Sequence, residues 1–321
     1  MKVLVTGVAG FVGSHAAKSL LSQSHDVLGI DNLNSYYDPA LKQARLATLK
    51  SQDGFRFVEQ DIADAPALAK TVNDFYPDRI VHLAAQAGVR YSLENPMAYA
   101  QSNLVGQVSV LEAARHCESV GHVVYASSSS VYGERGNAPF SEDDPVNAPV
   151  SLYAATKRAD ELMSATYSRL YGMALTGLRF FTVYGPWGRP DMAYWLFTDA
   201  ILNGRPIKLF NDGKMERDFT YIDDVIETLM RIVEDRPQTS SHRLYNIGGS
   251  DPRPLSEFIS ALETACGRKA IKEMAPMQAG DVTRTSADVS KIKRDYGYAP
   301  STPIEIGLER FVHWYCDYFG V

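Results

Sequence analysis

Short apolar runs recur through the first half of the chain, and amphipathic stretches separate them. The runs are residues 3–5, 27–30, 55–58, 79–83, 122–125 and 175–179. Their length and apolar content are typical of buried strands, whereas residues 11–21 carry apolar side chains at helical spacing. This alternation predicts an α/β fold: a Rossmann-like, doubly wound parallel sheet with right-handed crossovers.

The pattern changes after about residue 180. Pro186, Gly188 and Pro190 interrupt it, because proline and glycine break regular elements. Later segments, such as residues 222–233 and 304–318, again have helical spacing. The second half is therefore expected to form a smaller, mixed α/β region rather than more of the same sheet.

The resulting domain prediction has a soft boundary. We expect a first domain of residues 1–180, with a possible later segment around residues 220–250, and a substrate-binding domain made mainly of residues 181–321. Residues 244–247 are the part of that later segment that could return to the main sheet.

Composition and charge narrow the range of partners. The chain has 321 residues, 45% of them hydrophobic, and a formal net charge of −6. Phosphate backbones are bound through net basic surfaces, so nucleic acid is not expected as a partner. An anionic ligand must instead meet local arginines.

The cysteines and the lengths of the apolar runs bear on the cellular location of the protein. Cys117, Cys266 and Cys316 are far apart and lack a CxxC pair or a histidine cluster. Neither a disulfide framework nor a metal site is expected, which fits a reducing environment. We find no signal-peptide pattern and no transmembrane run, so the expected location is the cytoplasm and no membrane partner is expected.

A glycine-rich turn follows the first predicted strand. Gly7, Gly10 and Gly13 are spaced GxxGxxG, with Phe11 and Val12 inside the motif. Such a turn opens a helix whose N-terminal amides can face a pyrophosphate, while the missing side chains permit close approach. A plain tight turn would use the same residues, so the motif needs a partner elsewhere in the sequence.

Asp31 is that partner, because it stands directly after the second predicted strand. A carboxylate there accepts hydrogen bonds from the ribose hydroxyls of a dinucleotide. Its charge would repel a 2′-phosphate, which favours NAD over NADP. The alternative, that Asp31 only starts a turn, is weaker when the glycine turn is also present.

A tyrosine and a lysine four residues apart suggest proton chemistry. Tyr153 and Lys157 lie on one face if residues 151–171 form the helix that their spacing predicts. An ammonium near a phenol favours the phenolate, which can accept a hydroxyl proton. The serine run 127–130 follows the strand 122–125, at the sheet edge where ligands bind in such folds. A surface cation and a capped turn are the alternatives.

With these motifs in order, the chain resembles the extended short-chain dehydrogenase/reductase family. The resemblance implies a catalytic set of Ser128, Tyr153 and Lys157, with a one-residue ambiguity in the serine run. It also implies further contacts to NAD, besides the glycine motif, Asp31, Tyr153 and Lys157. These are Asn32, Asp61, Ile62, Leu83, Ala84, Ala85 and Phe180.

Within that family the chain resembles nucleotide-sugar epimerases, through residues 179–186 and 217–225. Residues 34–39 and 188–193 are similar to the corresponding segments of UDP-glucuronate 4-epimerases. The resemblance implies an NAD-dependent isomerase that inverts carbon 4 of a UDP-sugar, most simply UDP-glucuronate to UDP-galacturonate, through a 4-keto intermediate. It also implies a homodimer, with residues 96–116 and 151–171 as the expected interface helices.

Substrate contacts are expected from hydroxyl and basic residues. Ser128, Ser129 and Tyr153 would face the sugar. Arg217 is the best candidate for the pyrophosphate, because a guanidinium matches phosphate oxygens. Thr182 and Arg189 are candidates for the sugar carboxylate, although Arg189 could be an exposed loop cation. Two weaker candidates for phosphate contact are Arg90 and Arg284.

Other activities use the same fold. A 4-epimerase for UDP-glucose or N-acetyl sugars would have the same catalytic set and no need of Arg189. Dehydratases of the family have an Asp-Glu pair after the catalytic threonine and decarboxylases a glutamate nearby, whereas Ser129 and Ser130 follow Ser128 here. A noncatalytic NAD-binding regulator is a further alternative, and the intact Ser128, Tyr153 and Lys157 argue against it.

Overall fold

The chain divides into two compact units in the computed structural model, which describes residues 1–135, 139–237, 240–276 and 283–321. The first unit comprises Met1–Gly133, Pro145–Arg179 and Ile226–Tyr245. The second comprises Glu134–Asp144, Phe180–Val225 and Asn246–Val321. The assignment of cofactor binding to residues 1–180 and of substrate binding to residues 181–321 stays a prediction.

The strands are numbered along the chain as follows: β1 Lys2–Thr6, β2 Asp26–Asp31, β3 Phe55–Glu59, β4 Arg79–His82, β5 His122–Ser128, β6 Leu175–Phe180, β7 Thr182–Tyr184, β8 Pro206–Phe210, β9 Glu216–Arg217, β10 Phe219–Tyr221, β11 His242–Ile247, β12 Arg253–Pro254 and β13 Ile271–Ala275. The α-helices are α1 Phe11–Ser22, α2 Pro39–Lys50, α3 Ala65–Phe75, α4 Tyr91–Glu94, α5 Pro96–Tyr99, α6 Gly106–Arg115, α7 Leu152–Tyr171, α8 Ala193–Leu202, α9 Ile222–Glu234, α10 Leu255–Cys266, α11 Ser290–Tyr296 and α12 Ile304–Phe319.

The main sheet has seven strands in the order β11-β6-β5-β4-β1-β2-β3. It is parallel and flanked by helices, so the predicted Rossmann-like fold is confirmed. β1 is an interior strand between β2 and β4, and the strand order reverses direction across the sheet at that strand. The carboxyl ends of β1 and β4 therefore form the crevice where ligands bind in doubly wound sheets. Residues 244–247, the piece that could return to the main sheet, belong to β11, which lies at one edge of that sheet.

Burial explains why the apolar runs became strands. Val3, Leu4 and Val5 on β1 are fully buried, as expected for a central strand covered on both faces. Leu4 belongs to the same core cluster as Ile80 of β4 and Leu111 of α6. Burying one such side chain contributes about 1.5–3 kcal/mol. These contacts hold the strand ends that carry the candidate site.

Residues 96–116 depart from a regular helix. α5 and α6 are joined by a π-helical turn, Ala100–Val105. π-Turns insert one extra residue and often occur at functional sites. Here the turn contains Asn103, which is buried.

The second unit is a mixed α/β structure. Its strands form two-stranded pairs, β10 with β7, β12 with β9 and β13 with β8. Aromatic residues of α8 and α12 pack together, with Tyr194 and Trp195 against Phe311. Across the described parts of the chain, no helix is long and apolar enough to cross a membrane.

Candidate active site

The glycine turn leaves no room for side chains. Gly7 has a positive φ of 71°, and a Cβ atom there would lie 2.7 Å from the backbone nitrogen of Ala84. A Cβ atom on Gly13 would lie 2.1 Å from the carbonyl oxygen of Gly7. Gly10 caps α1 without a side-chain hydrogen bond. The first amides of α1, including those of Phe11 and Val12, thus have the local geometry that receives a pyrophosphate.

Asp31 ends β2 and is joined to this turn. Its Oδ2 accepts a hydrogen bond from the backbone nitrogen of Ala9 (3.1 Å), and its Oδ1 accepts one from Leu33 (2.9 Å). Burial raises the pKa of Asp31, while the nearby ammonium of Lys42 opposes that change. The glycine turn and the Asp31 carboxylate are therefore joined in one site. This site fits a dinucleotide, because the turn allows close approach of a pyrophosphate and the buried carboxylate can accept hydrogen bonds from a ribose.

Sequence reasoning missed the cations that support this end of the site. Lys42 of α2 donates to the carbonyl oxygen of Asn34 (2.9 Å). Arg45, also on α2, is buried and donates to the carbonyl oxygen of Ala9 (3.0 Å). Neither residue belongs to a recognised motif, and only the fold brings them to the glycine turn.

The remaining cofactor candidates of the first unit follow strand ends. Asn32 donates to Asp61 (3.0 Å), and the next residue, Ile62, is buried. After β4, the backbone nitrogens of Leu83 and Ala84 donate to Thr6 of β1, and Ala85 follows them. These residues follow the carboxyl ends of β2, β3 and β4, and their contact with a cofactor stays a prediction. Phe180 ends β6 and belongs to the second unit.

The serine run divides into residues with different partners. Ser127 is buried and donates to Glu161 of α7 (2.7 Å). Ser128 ends β5, and its hydroxyl accepts a bond from the backbone nitrogen of Ser130. Ser129 begins the short 3₁₀ turn Ser129–Tyr132. Ser128 thus caps a turn and also ends β5 at the sheet edge, and its catalytic role stays a prediction.

The helix α7 brings Tyr153 and Lys157 to the same strand end. Lys157 is buried, and its Nζ donates to the carbonyl oxygen of Ala126 (3.0 Å), two residues before Ser128. Tyr153 lies one turn earlier, and its ring packs against that of Tyr99 with centroids 6.0 Å apart. The predicted set therefore shares one edge of the sheet.

A buried ion pair fixes the elements beneath this set. Arg179 of β6 forms two hydrogen bonds to Glu161, of 2.8 and 2.9 Å. Burial would raise the pKa of Glu161, but the bonds from Arg179 outweigh it and lower that pKa. Because Glu161 also accepts from Ser127, the pair joins α7, β5 and β6. Sequence reasoning missed it.

Asn103 is another residue that sequence reasoning missed. Its side-chain amide accepts from the backbone nitrogen of Gln86 (2.8 Å) and donates to Thr156 of α7 (2.9 Å). It links the segment after β4 to the helix of Tyr153. A buried polar residue inside an amphipathic stretch was the available signal.

The candidates for the sugar carboxylate lie in the second unit. Thr182 begins β7 and is half-buried. Arg189 follows in the turn before α8, where Tyr194 accepts its backbone N–H (2.8 Å). The guanidinium is ion-paired with Asp191 (Nε to Oδ1, 3.0 Å). A substrate carboxylate would compete with this pair.

The candidate phosphate ligands fall into two groups. Arg217 on β9 lies opposite Arg253 of β12. Arg284 is bridged to Glu216, the residue before Arg217, and pairs with its carboxylate (3.0 Å). The structure thus brings Arg217 and Arg284 to one sheet edge of the second unit. Arg90 is exposed, precedes α4 and belongs to the first unit.

Asp218, next to Arg217, organises that edge. It is fully buried and accepts backbone hydrogen bonds from Gly249, Ser250 (3.1 Å) and Ala287 (2.8 Å). Burial raises its pKa to about 6, against these bonds. The aspartate therefore has a structural role within the motif that suggested epimerases.

A parallel sheet of this strand order, with a glycine turn and a Ser/Tyr/Lys set at its carboxyl edge, defines the class: a dinucleotide-dependent enzyme of the short-chain dehydrogenase/reductase type. Residues 3–248 match the NAD dependent epimerase/dehydratase family. The chain belongs to that family.

Individual relatives are similar over almost the whole chain. A probable UDP-glucuronate 4-epimerase of Rhizobium meliloti is 46% identical over 98% of this chain and 97% of its own length. A UDP-glucuronic acid 4-epimerase from Bacillus cereus, solved with UDP-glucuronic acid and NAD, is 34% identical with a TM-score of 0.93, covering 99% and 100%. The UDP-glucose 4-epimerase of Thermotoga maritima is 28% identical with a TM-score of 0.90, covering 99% and 100%.

Proposed function

We propose that this protein is an NAD-dependent isomerase that converts UDP-glucuronate to UDP-galacturonate by inverting carbon 4. The observation that carries the proposal is the shared strand end: Lys157 is bound to Ala126, two residues before Ser128, and lies one helical turn from Tyr153. Full-length similarity to UDP-glucuronate 4-epimerases supports the choice of substrate.

The residues of the set divide the proton chemistry. Ser128 holds the 4-hydroxyl of the sugar, and Tyr153, as phenolate, takes its proton. Lys157 supplies the positive charge that favours the phenolate. NAD, which the glycine turn and Asp31 would hold, would supply the hydride acceptor and donor that lets carbon 4 be oxidised from one face of the sugar and reduced from the other. Tyr153 then gives the proton back, and the 4-keto sugar becomes the epimer without net oxidation.

Contacts from the second unit and the residues after Ser128 account for retention of the sugar carboxylate. Thr182 and Arg189 bind it in this proposal, by a hydroxyl and a charge-assisted hydrogen bond. The residues after Ser128 are Ser129 and Ser130, which have no carboxyl group to serve as acid or base for elimination. In this proposal, carbon 4 is therefore inverted and the carboxylate is retained.

The nucleotide is anchored through the second unit. Arg217, with Arg284 beside it, binds the pyrophosphate, and Arg90 is a weaker candidate from the first unit. Firm binding of the nucleotide allows the keto sugar to turn over while it stays in the site. This separation of roles is what inversion requires.

We further propose a cytoplasmic homodimer. Both predicted interface segments expose apolar side chains, including Met97, Val105 and Val108 on one and Leu162 and Leu170 on the other. Exposed apolar surface of this kind is typical of subunit interfaces. The three cysteines are free thiols, which fits the cytoplasm.

Substrate choice is the test of this function. The purified protein is incubated without added NAD, with UDP-glucuronate or with UDP-glucose, and products are resolved by proton NMR. We expect UDP-galacturonate from the first and no epimer from the second. UDP-galactose alone would assign the protein to the neutral-sugar epimerases, and a UDP-pentose with carbon dioxide would mean decarboxylation. No conversion even after NAD is added would contradict the proposal.

A further inference from the structure

Lys157 has a second buried partner besides the backbone. Its Nζ lies 3.0 Å from Oδ2 of Asp160, one turn further along α7. The two side chains are 3% and 1% exposed. With Ala126 and Asp160 as acceptors, two of the three N–H groups of the ammonium are directed into the protein.

Only one of the two carboxylate oxygens of Asp160 accepts a hydrogen bond from a described residue. Its Oδ1 is buried and has no hydrogen-bond partner among the described residues. Burial raises the pKa of Asp160 to about 6, although Lys157 opposes that change. An ionised group in this position is costly. A neutral amide could accept the same bond from Lys157, but it would leave the buried ammonium without a counter-charge. The charge of Asp160, as well as its hydrogen bond, therefore acts on Lys157.

We propose, on the basis of the proposed function, that Asp160 is a positioning residue that sets the effective charge of Lys157: it fixes Nζ and offsets part of the positive charge that acts on Tyr153. The charge of Asp160, 3.0 Å from Nζ of Lys157, is weakly screened because both groups are buried. Asp160 would thereby limit how strongly the phenolate is favoured.

The other titratable groups around the Lys157–Asp160 pair do not change their protonation state near neutral pH. From β4, His82 is held neutral, since burial and Lys157 lower its pKa to about 3. From β5, Tyr125 stays protonated, because burial and Glu161 raise its pKa well above the ordinary value. Glu161, on the same helix as Asp160, stays ionised through Arg179 of β6. Asp160 is the member of this group that changes charge near pH 6.

The test is the isosteric variant Asp160→Asn, measured by kcat for UDP-glucuronate between pH 5 and 9. Without the negative charge, the full charge of Lys157 favours the phenolate. We expect the acid-side pH of half-maximal kcat to fall by about 0.5–1 unit relative to the wild type. Asp74→Asn, which breaks an exposed pair with Lys70 on α3, is the control and should leave the profile unchanged.

A second readout does not need activity. In the folded protein the pKa of Asp160 lies above that of the unfolded chain, so ionisation reduces stability as pH rises from about 4 through 6. The variant lacks this loss. Its Tm minus that of the wild type should therefore increase by about 2 °C between pH 5 and pH 8, measured by thermal unfolding without substrate.

The outcomes separate the possibilities. If the acid-side limbs of Asp160→Asn and the wild type superimpose, Asp160 acts only as a structural anchor and the proposal is wrong. If Asp160→Asn does not fold, Asp160→Ser is measured in the same way. A wild type that converts no UDP-glucuronate at any pH would instead overturn the proposed function. A Tm difference between variant and wild type that is constant with pH would show that Asp160 does not ionise in this range, which would contradict the inference.

Discussion

At the scale of single residues, Tyr153 is the group on which the chemistry depends. The structure places it one turn before Lys157 and against the ring of Tyr99. Removing the phenolic oxygen leaves this ring packing in place. The effect of its loss on turnover should therefore be separable from any effect on folding.

Tyr153→Phe should lower kcat for UDP-glucuronate by at least about 100-fold, the range of general acid–base catalysis, with little change in Tm. Tyr171→Phe, at the far end of the same helix and exposed, is the matched control and should retain wild-type kcat. Steady-state kinetics and thermal unfolding measure both effects. If turnover by Tyr153→Phe equals that of the control, another group carries the proton.

Local motifs could be predicted at this scale, and long-range partners could not. Gly7, Asp31, Tyr153 and Lys157 have fixed spacing or follow a strand directly, so their positions were readable from the sequence. Glu161 has the spacing of an ordinary helix-surface charge. Its burial follows from Arg179, 18 residues away on another element, and such pairing depends on the packing of whole elements.

At the scale of elements, the Arg179–Glu161 pair joins α7 to β5 and β6. Both side chains are almost fully buried, so each needs the other to offset the loss of hydration. The end of β5 that holds Ala126 and Ser128 is therefore stabilised in part by this buried charged contact.

Glu161→Gln should lower the free energy of unfolding by about 3 kcal/mol, because it leaves the buried guanidinium of Arg179 without its counter-charge. Glu227→Gln removes the same type of carboxylate from an exposed pair with Arg231 on α9 and should cost less than about 1 kcal/mol. Urea denaturation of the two variants makes the comparison. Equal losses of unfolding free energy in the two variants would mean that the buried pair stabilises the protein no more than the exposed pair.

Element prediction succeeded where the apolar pattern was regular. The strands of the main sheet and the helices α1, α7, α9 and α12 begin and end within a few residues of the predicted segments. The pattern did not indicate that residues 134–144 join the second unit. Their place depends on distant contacts, such as the bond from Asn246 to the carbonyl oxygen of Phe140 (2.7 Å).

At the scale of the whole molecule, the apolar side chains exposed on α5, α6 and α7 bear on assembly. Leu162 is 53% exposed on α7. A homodimer would remove such surface from water. The proposed dimer therefore makes a direct prediction about a surface substitution.

Leu162→Arg should convert the dimer to a monomer, because a charge would have to be buried in the interface. The control is Leu196→Arg on α8 of the second unit, where the leucine is 47% exposed. Light scattering coupled to size-exclusion chromatography gives both masses. A wild-type mass of about one chain would contradict the dimer.

The most direct test of inversion at carbon 4 uses UDP-glucuronate labelled with deuterium at that carbon. The hydrogen removed from carbon 4 stays in the site and returns to the same carbon, so the account predicts UDP-galacturonate that keeps its deuterium in ordinary water. Proton NMR of the product reads this position. Loss of deuterium from carbon 4 to the solvent would contradict the mechanism derived from Ser128, Tyr153 and Lys157.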